Sequence, residues 1–141
     1  MRFNQTMPVD VLVPVLAYPD VSEAVEWLTA AFGFRLRWQI SDHRAQLAVG
    51  PTAALAIVQS DAPPTGADEV MVRVDDVDAH AAVSRAHGAE ITQDPTTHVY
   101  GERQYVARDY TGRSWCFSES VEDRAPRAWG AVEGPSLRAE P

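Results

Sequence analysis

The feature that most constrains this chain is a pattern of elements that occurs twice along its 141 residues. Asp20-Val21 precedes a helical stripe of apolar residues that ends before Gly33, and Asp76-Val77 precedes a second stripe that ends before Gly88. The two helix starts lie 56 residues apart and the two glycines 55. A supersecondary unit repeated at this spacing indicates a duplicated architecture.

Each half is predicted to form one strand, one helix and three further strands. Alternating apolar and polar residues, as between Phe34 and Ile40, are typical of a strand with two different faces. Asp20 and Asp76 can accept hydrogen bonds from the first free amides of the two helices. The strands are predicted at 11–16, 34–40, 45–49, 55–58, 70–74, 89–93, 104–108 and 114–118.

Two such units predict one α+β domain, in which each mixed sheet carries one helix. A single βαβββ unit cannot cover both faces of its sheet, whereas two can pair and leave a concave surface between them. We predict a first module at about 10–59, a linker at 60–68, a second module at about 68–119 and a C-terminal tail at 120–141. Trp129 in the tail is expected to dock on the domain or on a partner subunit.

Charge and composition limit the classes of partner. The 20 acidic and 12 basic residues give a net charge of −8, which repels phosphate backbones and argues against nucleic acid. No apolar run reaches the roughly 18 residues of a membrane helix. The N-terminus does not resemble a signal peptide, so we expect a cytoplasmic protein. Cys116 is the one cysteine, so no intrachain disulfide can form.

Four motifs in order resemble the vicinal oxygen chelate superfamily, which holds glyoxalase I, bleomycin-resistance proteins, fosfomycin-resistance enzymes and extradiol dioxygenases. They are the first helix from Asp20 to Phe34, the second-module start at Val74–Asp78, the loop Tyr100–Arg103, and the hairpin Asp109–Trp115. Tyr110 occupies the place of the usual proline in that hairpin. The resemblance implies a glyoxalase-like half-barrel, a small-molecule cavity and a homodimer. It does not imply one activity, because the family includes enzymes and pure binders.

The resemblance also implies four positions for the ligands of a divalent metal. They correspond here to Val13, a residue near Ala56, Glu69 and Cys116. Two of these are hydrocarbon, and one carboxylate with one thiolate is too small a set for Mg²⁺ or Mn²⁺ and suits zinc better. We therefore expect no metal cofactor, with a divalent metal as the alternative.

Six residues are candidates for contact with a ligand. Because side chains alternate along a strand, Glu69 and Arg73 are predicted to point to the same face of the sheet. Cys116 is either a small apolar residue of the core or a thiol that lines the cavity beside Arg73. His98 neighbours the Tyr100–Arg103 loop at the expected cavity mouth. The candidate set is Trp38, Glu69, Arg73, His98, Tyr105 and Cys116, with Glu69 as the candidate catalytic residue.

Two functions are consistent with this set. The first is a metal-independent binder, similar to bleomycin-resistance proteins, that sequesters a drug or metabolite in an apolar cavity, with an acidic surface that favours a cationic ligand. The second is a lyase, isomerase or dioxygenase-like enzyme in which Glu69 is the general base and Arg73 stabilises an enolate-like oxygen. A regulatory or structural role is a third class. The sequence leaves open whether the modules pair within one chain or between chains.

Overall fold

Both halves of the chain form the βαβββ unit that the repeat predicts. The computed structural model describes residues 1–64 and 66–137, so Thr65 of the predicted linker and 138–141 of the predicted tail lie outside the described residues. The elements are β1 (Val15–Tyr18), α1 (Val21–Phe32), β2 (Arg35–Ile40), β3 (Arg44–Val49), β4 (Ala53–Gln59), β5 (Glu69–Arg73), α2 (Val77–Ala86), β6 (Glu90–Thr97), β7 (Glu102–Arg108) and β8 (Ser114–Ser120), with a 3₁₀ turn at Pro126–Trp129.

The helices begin where the sequence predicts. The carboxylate of Asp20 accepts from the backbone N–H of Glu23 at 2.9 Å, and Asp76 accepts from Ala79 at 3.0 Å. These bonds satisfy amides that have no partner within the helix. Gly33 has φ 79° and ends α1 in the left-handed conformation. Within the described ranges, no helix is long and apolar enough to cross a membrane.

Each module builds one four-stranded sheet of the same design. Sheet A has the order β1-β4-β3-β2 and sheet B the order β5-β8-β7-β6, with the first pair of each sheet parallel and the others antiparallel. In the parallel pairs Val15 lies opposite Ala56, and Met71 lies opposite Cys116. The matching register means that side chains at corresponding positions occupy corresponding places in the two modules.

The helix-covered faces of the two sheets share one core. Phe32 of α1 contacts Trp115 and Phe117 of β8, with ring centroids 5.4 and 4.8 Å apart. Buried residues of both helices and both sheets belong to the same apolar cluster. The modules therefore stand back to back, and the two faces turned away from the helices, here called the outer faces, point in different directions. The sequence left open whether the modules pair within one chain or between chains, and the shared core shows that they pack together within this one.

A buried carboxylate also joins the modules. Asp109, in the β7–β8 turn, is 4% exposed and accepts from the Tyr18 hydroxyl at 2.7 Å and from the Trp115 indole N–H at 3.0 Å. The same side chain accepts from the backbone N–H groups of Thr111 and Arg113. The end of β1 is thus tied to the hairpin of the second module, and burial with the nearby Asp109 raises the pKa of Tyr18 strongly.

Two strand ends differ from the sequence prediction by four residues, whereas every other strand end differs by two or fewer. The first strand was expected at 11–16, but β1 begins at Val15, after Pro14, whose ring nitrogen cannot donate to a ladder. The strand expected at 89–93 continues to Thr97 through two irregularities in its pairing with β7. Bulges interrupt the alternation on which the prediction rests, so the strand end was set too early.

His80 is a titratable group inside the contact between the modules. Its Nε2 lies 2.9 Å from the Phe32 carbonyl at the end of α1, and its Nδ1 lies 2.5 Å from the Tyr105 hydroxyl. Because a carbonyl only accepts, Nε2 carries the proton in the neutral ring and Nδ1 accepts from Tyr105. Burial lowers the pKa of His80 below its ordinary value of 6.5.

This burial predicts an acid-dependent loss of stability. His80 binds a proton less readily in the folded chain than in the unfolded chain, where its pKa is near 6.5, so the free energy of unfolding should fall as pH decreases below that value. The slope from one proton is at most about 1.4 kcal/mol per pH unit. Urea unfolding between pH 7.5 and 5 should show a smaller slope in His80→Gln. His43→Gln, at an exposed histidine, should keep the wild-type slope. Equal slopes in all three proteins would contradict the assignment.

Candidate functional site

The outer face of sheet B carries a continuous chain of hydrogen bonds. The Tyr100 hydroxyl donates to Gln104 Oε1 at 2.9 Å, and Gln104 Nε2 donates to Ser118 Oγ at 3.0 Å. Ser118 Oγ then donates to Glu102 Oε1 at 2.7 Å. Gln104 and Ser118 are buried, because Tyr100 from the β6–β7 loop lies across this face. The result is a fixed polar floor built mostly from neutral groups.

Cys116 lies in this floor on β8, one of the two inner strands of sheet B. It faces the same side as Met71, its partner across the parallel pair, and it is 3% exposed. Burial and the nearby Glu69 carboxylate raise the pKa of the Cys116 thiol to about 11. The thiol is therefore protonated at neutral pH and is not an activated nucleophile.

Glu69 and Arg73 lie at the two ends of β5 and do not pair with each other. Glu69 is exposed and accepts from the Ser114 hydroxyl at 3.1 Å. The Arg73 guanidinium donates to Ser120 Oγ at 3.1 Å. Of the two alternatives for Cys116, the buried small side chain fits better, because the hydrogen bond of Arg73 goes to a serine of β8.

The four positions that the resemblance assigns to a metal do not form a donor set. Val13 lies just before β1, Ala56 lies on the inner strand β4 of sheet A, and both supply only hydrocarbon. Glu69 and Cys116 lie on sheet B, and the thiol holds its proton. Among the described residues, no three His, Cys, Asp or Glu side chains are grouped as a metal would require. These residues do not fit a bound divalent ion.

His98 and Trp129 meet at the rim of the same face. The imidazole of His98 stacks on Tyr100 with ring centroids 5.0 Å apart and planes 5° apart, and Trp129 contacts the edge of this pair at 5.6 Å from Tyr100. The Nε2 atom of His98 is buried and has no hydrogen-bond partner among the described residues. Trp129 therefore docks on its own domain, one of the two alternatives predicted from the sequence.

The outer face of sheet A holds Trp38. The register places it opposite Gln46, on the side of Ala56. A bulge between Leu36 and Trp38 also brings the Arg37 guanidinium onto this face, where Nη1 donates to the buried Gln46 amide oxygen. This face thus presents fixed donors, unlike the neutral floor of sheet B.

Tyr105 does not line either outer face. It lies opposite Phe117 in the β7–β8 pair, is fully buried, and its hydroxyl contacts Ser84 and His80 of α2. Burial raises the pKa of Tyr105 to about 12. The prediction of Tyr105 as a ligand contact is corrected, because Gln104 and Val106, its neighbours along the strand, face outward instead.

The structure brings together four of the six candidates. Glu69, Arg73 and Cys116 lie on the outer face of sheet B, and His98 lies at its rim, whereas Trp38 lies on the other sheet. Sequence reasoning missed the hydrogen-bonded pair Gln104 and Ser118, the Tyr100 ring above it, and the Arg37–Gln46 pair. Because side chains alternate along a strand, Ser118 could have been predicted to face the same side as Cys116. Gln104 could not, because the β7–β8 register that places it beside Ser118 is not visible in the sequence.

A cavity of about 480 Å³ lies where the two modules meet. Its walls come from the segment before β1, the β3–β4 turn and β5, and they are mostly apolar. The volume is in the range of small-molecule sites. Arg73 is the one candidate residue among those that line it: Asp10, Leu12, Pro14, Val49, Gly50, Pro51, Thr52, Ala53, Ala54, Leu55, Val70, Met71, Val72 and Arg73.

The tail is held at Gly101 by a close backbone crossing. The Gly101 carbonyl accepts from the N–H groups of Val121 and Glu122, and a Cβ at Gly101 would overlap the Glu122 carbonyl oxygen. Gly101→Ala should cost about 1–3 kcal/mol and release the tail, so that trypsin cleaves faster after Arg124.

Gly50→Ala is the matched control for this substitution. Gly50 has φ 64°, comparable with the 88° of Gly101, but open space surrounds the position of its Cβ. It should therefore cost only the backbone strain and leave tail cleavage unchanged. Equal cleavage rates in the two variants would contradict the role assigned to the Gly101 crossing.

Comparison with known proteins agrees with this architecture. The profile of the Glyoxalase/Bleomycin resistance protein/Dioxygenase superfamily matches residues 3–117. The crystal structure of TioX from Micromonospora sp. ML1 is 34% identical, covers 79% of this chain and 99% of its own, and superposes with a TM-score of 0.66.

More distant structures share the fold. A glyoxalase/bleomycin resistance protein/dioxygenase family enzyme from Burkholderia phytofirmans PsJN is 16% identical, with 80% and 100% of the two chains covered and a TM-score of 0.69. A glyoxalase/bleomycin resistance protein from Streptomyces sp. CB03234 is 24% identical, with 75% and 98% covered and a TM-score of 0.59. No curated protein matches the sequence. The duplicated βαβββ fold, the profile match and the identity with TioX place this chain in the Glyoxalase/Bleomycin resistance protein/Dioxygenase superfamily.

Proposed function

We propose that this protein binds and sequesters a small molecule without a metal ion. The observation that carries the proposal is the chemistry of the outer face of sheet B, where the neutral Gln104–Ser118 pair and a protonated thiol share the face and Glu69 and Arg73 lie at the ends of β5. Gln104, Ser118 and Cys116 can orient a ligand, but they offer neither a metal site nor an ionised nucleophile. Such a surface is suited to holding a molecule and poorly suited to activating one.

We propose that the binding cavity is completed by a second copy of the chain. The helix-covered faces of the two sheets pack together within one chain, which leaves their outer faces available to a second copy. Val15 and Met71, which occupy corresponding positions on the two first strands, are 55% and 58% exposed. Both lie on the edge strands of their sheets, and exposed apolar side chains there favour burial in an interface. Sedimentation velocity should therefore report a homodimer, and a monomer at micromolar concentration would contradict this part of the proposal.

The ligand that fits these faces has an apolar body and a few polar atoms. Area burial supplies most of the affinity in sites of this kind, and the polar floor fixes orientation. The net charge of −8 increases the local concentration of cationic compounds. We propose a cationic or neutral aromatic drug or metabolite, in a protein of the bleomycin-resistance type located in the cytoplasm.

The enzyme alternative depends on Glu69, and the chain gives it little support. A general base at neutral pH needs apolar surroundings or a neighbouring charge that tunes it. Glu69 is exposed and its hydrogen-bond partner is Ser114. The proposal therefore assigns Glu69 a role in orienting the ligand, not in proton transfer.

A ligand screen tests the proposal directly. Aromatic and cationic compounds are added to protein treated with EDTA, and a binder should raise the melting temperature of wild type. Its affinity by calorimetry should change less than about twofold when Mg²⁺, Mn²⁺ or Zn²⁺ is added. Glu69→Gln should weaken binding by up to about tenfold, the effect of losing one charged hydrogen bond.

Glu26→Gln, at an exposed position of α1, is the matched control and should bind like wild type. Mass spectrometry of the recovered compound separates the two functions. Conversion of the compound by wild type but not by Glu69→Gln, or binding that requires a metal, would overturn the proposal.

A further inference from the structure

The N-terminal arm, residues 3–9, lies across the outer face of sheet A. The Arg37 guanidinium donates through Nη2 to the carbonyl of Gln5 at 2.9 Å and to that of Met7 at 3.4 Å. The Trp38 indole N–H donates to the carbonyl of Thr6 at 3.1 Å. Three consecutive backbone carbonyls of the arm are therefore held by two side chains of β2.

The side chains of the arm contribute little to this contact. Phe3, Met7 and Val9 are 87%, 52% and 80% exposed, although they are the apolar residues of the arm that burial would favour. A cavity of about 260 Å³ remains between the arm and the sheet. The sheet thus binds the arm mainly through its backbone and not through its side chains. A seven-residue segment that buries so few apolar side chains is held weakly.

The donors of β2 are fixed by contacts that do not involve the arm. Arg37 Nη1 donates to the amide oxygen of Gln46, which is 2% exposed, and Trp38 lies on the same face opposite Gln46 in the ladder. If the arm leaves, the guanidinium keeps its bond to Gln46, and the indole N–H loses the Thr6 carbonyl and is left on the same face without that acceptor. A preorganised set of donors then faces an open surface.

We infer that this face of sheet A binds an extended chain that carries amide carbonyls, and that the N-terminal arm is its resident competitor. The inference rests on the proposed binding function and adds the chemistry and regulation of its site. A ligand with carbonyl oxygens spaced along a backbone takes over the Arg37 and Trp38 donors and displaces the arm. Occupancy by the arm lowers the apparent affinity for that ligand, because only the open fraction of the protein can bind it.

Two variants of the full-length protein have opposite expected effects on binding. Asn4→Ala removes the acceptor for the Thr6 N–H and hydroxyl inside the arm and leaves β2 untouched. Trp38→Phe keeps the aromatic ring but removes the indole donor. Hydrogen exchange of residues 3–9, read by mass spectrometry, should be roughly three- to tenfold faster in both variants, as expected for the loss of one or two neutral hydrogen bonds.

The probe is a blocked peptide with the sequence of residues 4–8, together with a scrambled version. Both peptides should displace the resident arm and accelerate its exchange, because the face contacts carbonyls. Asn4→Ala should bind both peptides more tightly than wild type, by at most the factor by which its arm exchanges hydrogen faster. Trp38→Phe should bind both peptides more weakly than wild type. Val99→Ala, an exposed apolar position in the β6–β7 loop, is the control for both readouts and should leave them unchanged.

The outcomes separate this inference from the proposed function. If residues 3–9 exchange hydrogen at the wild-type rate in both variants, these hydrogen bonds do not hold the arm and the inference fails. Failure of the peptides to accelerate arm exchange in Asn4→Ala, or binding that leaves the arm in place, would also overturn it. The proposed function fails independently, when no compound of the screen raises the melting temperature of wild type.

Discussion

Replacing Asp109 with alanine is expected to lower the free energy of unfolding by about 3–5 kcal/mol. The carboxylate is buried and satisfies the Tyr18 hydroxyl, the Trp115 indole N–H and two backbone amides. Alanine leaves these donors without an acceptor inside the core, and each buried unpaired donor costs about 1–3 kcal/mol. Because Tyr18 belongs to the first module and Trp115 to the second, the contact between the modules should weaken first.

Chemical unfolding monitored by tryptophan fluorescence measures this loss. Asp94→Ala is the matched control, since Asp94 is also a paired carboxylate, bonded to Arg85 at 2.8 Å, but its side chain is 79% exposed. Surface pairs of this kind contribute about 0–1 kcal/mol. Similar losses in the two variants would mean that the buried network does not hold the modules together.

Phe32→Ala is expected to cost about 3–5 kcal/mol, the usual range for removing a buried phenyl ring. Phe32 is 3% exposed and contacts four aromatic rings besides that of His80, namely Trp27, Phe34, Trp115 and Phe117. It is therefore the central side chain between α1 and sheet B, and alanine would leave a cavity that the surrounding rings cannot fill without moving.

The same urea titration applied to Phe3→Ala provides the control. Phe3 is 87% exposed, so its loss should change the free energy of unfolding by no more than about 0.5 kcal/mol. Near-UV circular dichroism should lose intensity in Phe32→Ala, because several aromatic rings lose their fixed neighbour. An unchanged spectrum with wild-type stability would mean that the modules do not depend on this ring.

The fold could be predicted from the sequence because duplication and periodicity are both local signals. The spacing of Asp20 and Asp76 located the two helices, and alternation located the strands. The back-to-back packing of the modules could not be predicted, because alternation states that a strand has two faces but not which face the other module covers. Tyr105 was misplaced for the same reason, since its orientation follows from its pairing with Phe117 across the β7–β8 ladder.

The candidate site was visible only in part. Glu69 and Cys116 were singled out because the family resemblance assigns metal-ligand positions to them, and the structure places them on one face. Gln104 lies on the same face and is bonded to Ser118 across the β7–β8 pair. A single sequence does not show which residues face each other across two strands. The arm was missed because residues 1–10 have no periodicity, and its contacts depend on a bulge at Leu36 that alternation cannot anticipate.

The two modules share a backbone plan but no longer share a chemistry. Val15 and Ala56 correspond in register to Met71 and Cys116, so the scaffolds are equivalent at these points. On one scaffold the guanidinium and indole of β2 only give hydrogen bonds, and on the other amide, hydroxyl and thiol groups can both give and take them. A ligand bound between these two different surfaces has one preferred orientation. The divergence of the duplicated halves would therefore fix the orientation of the ligand even in a symmetric dimer.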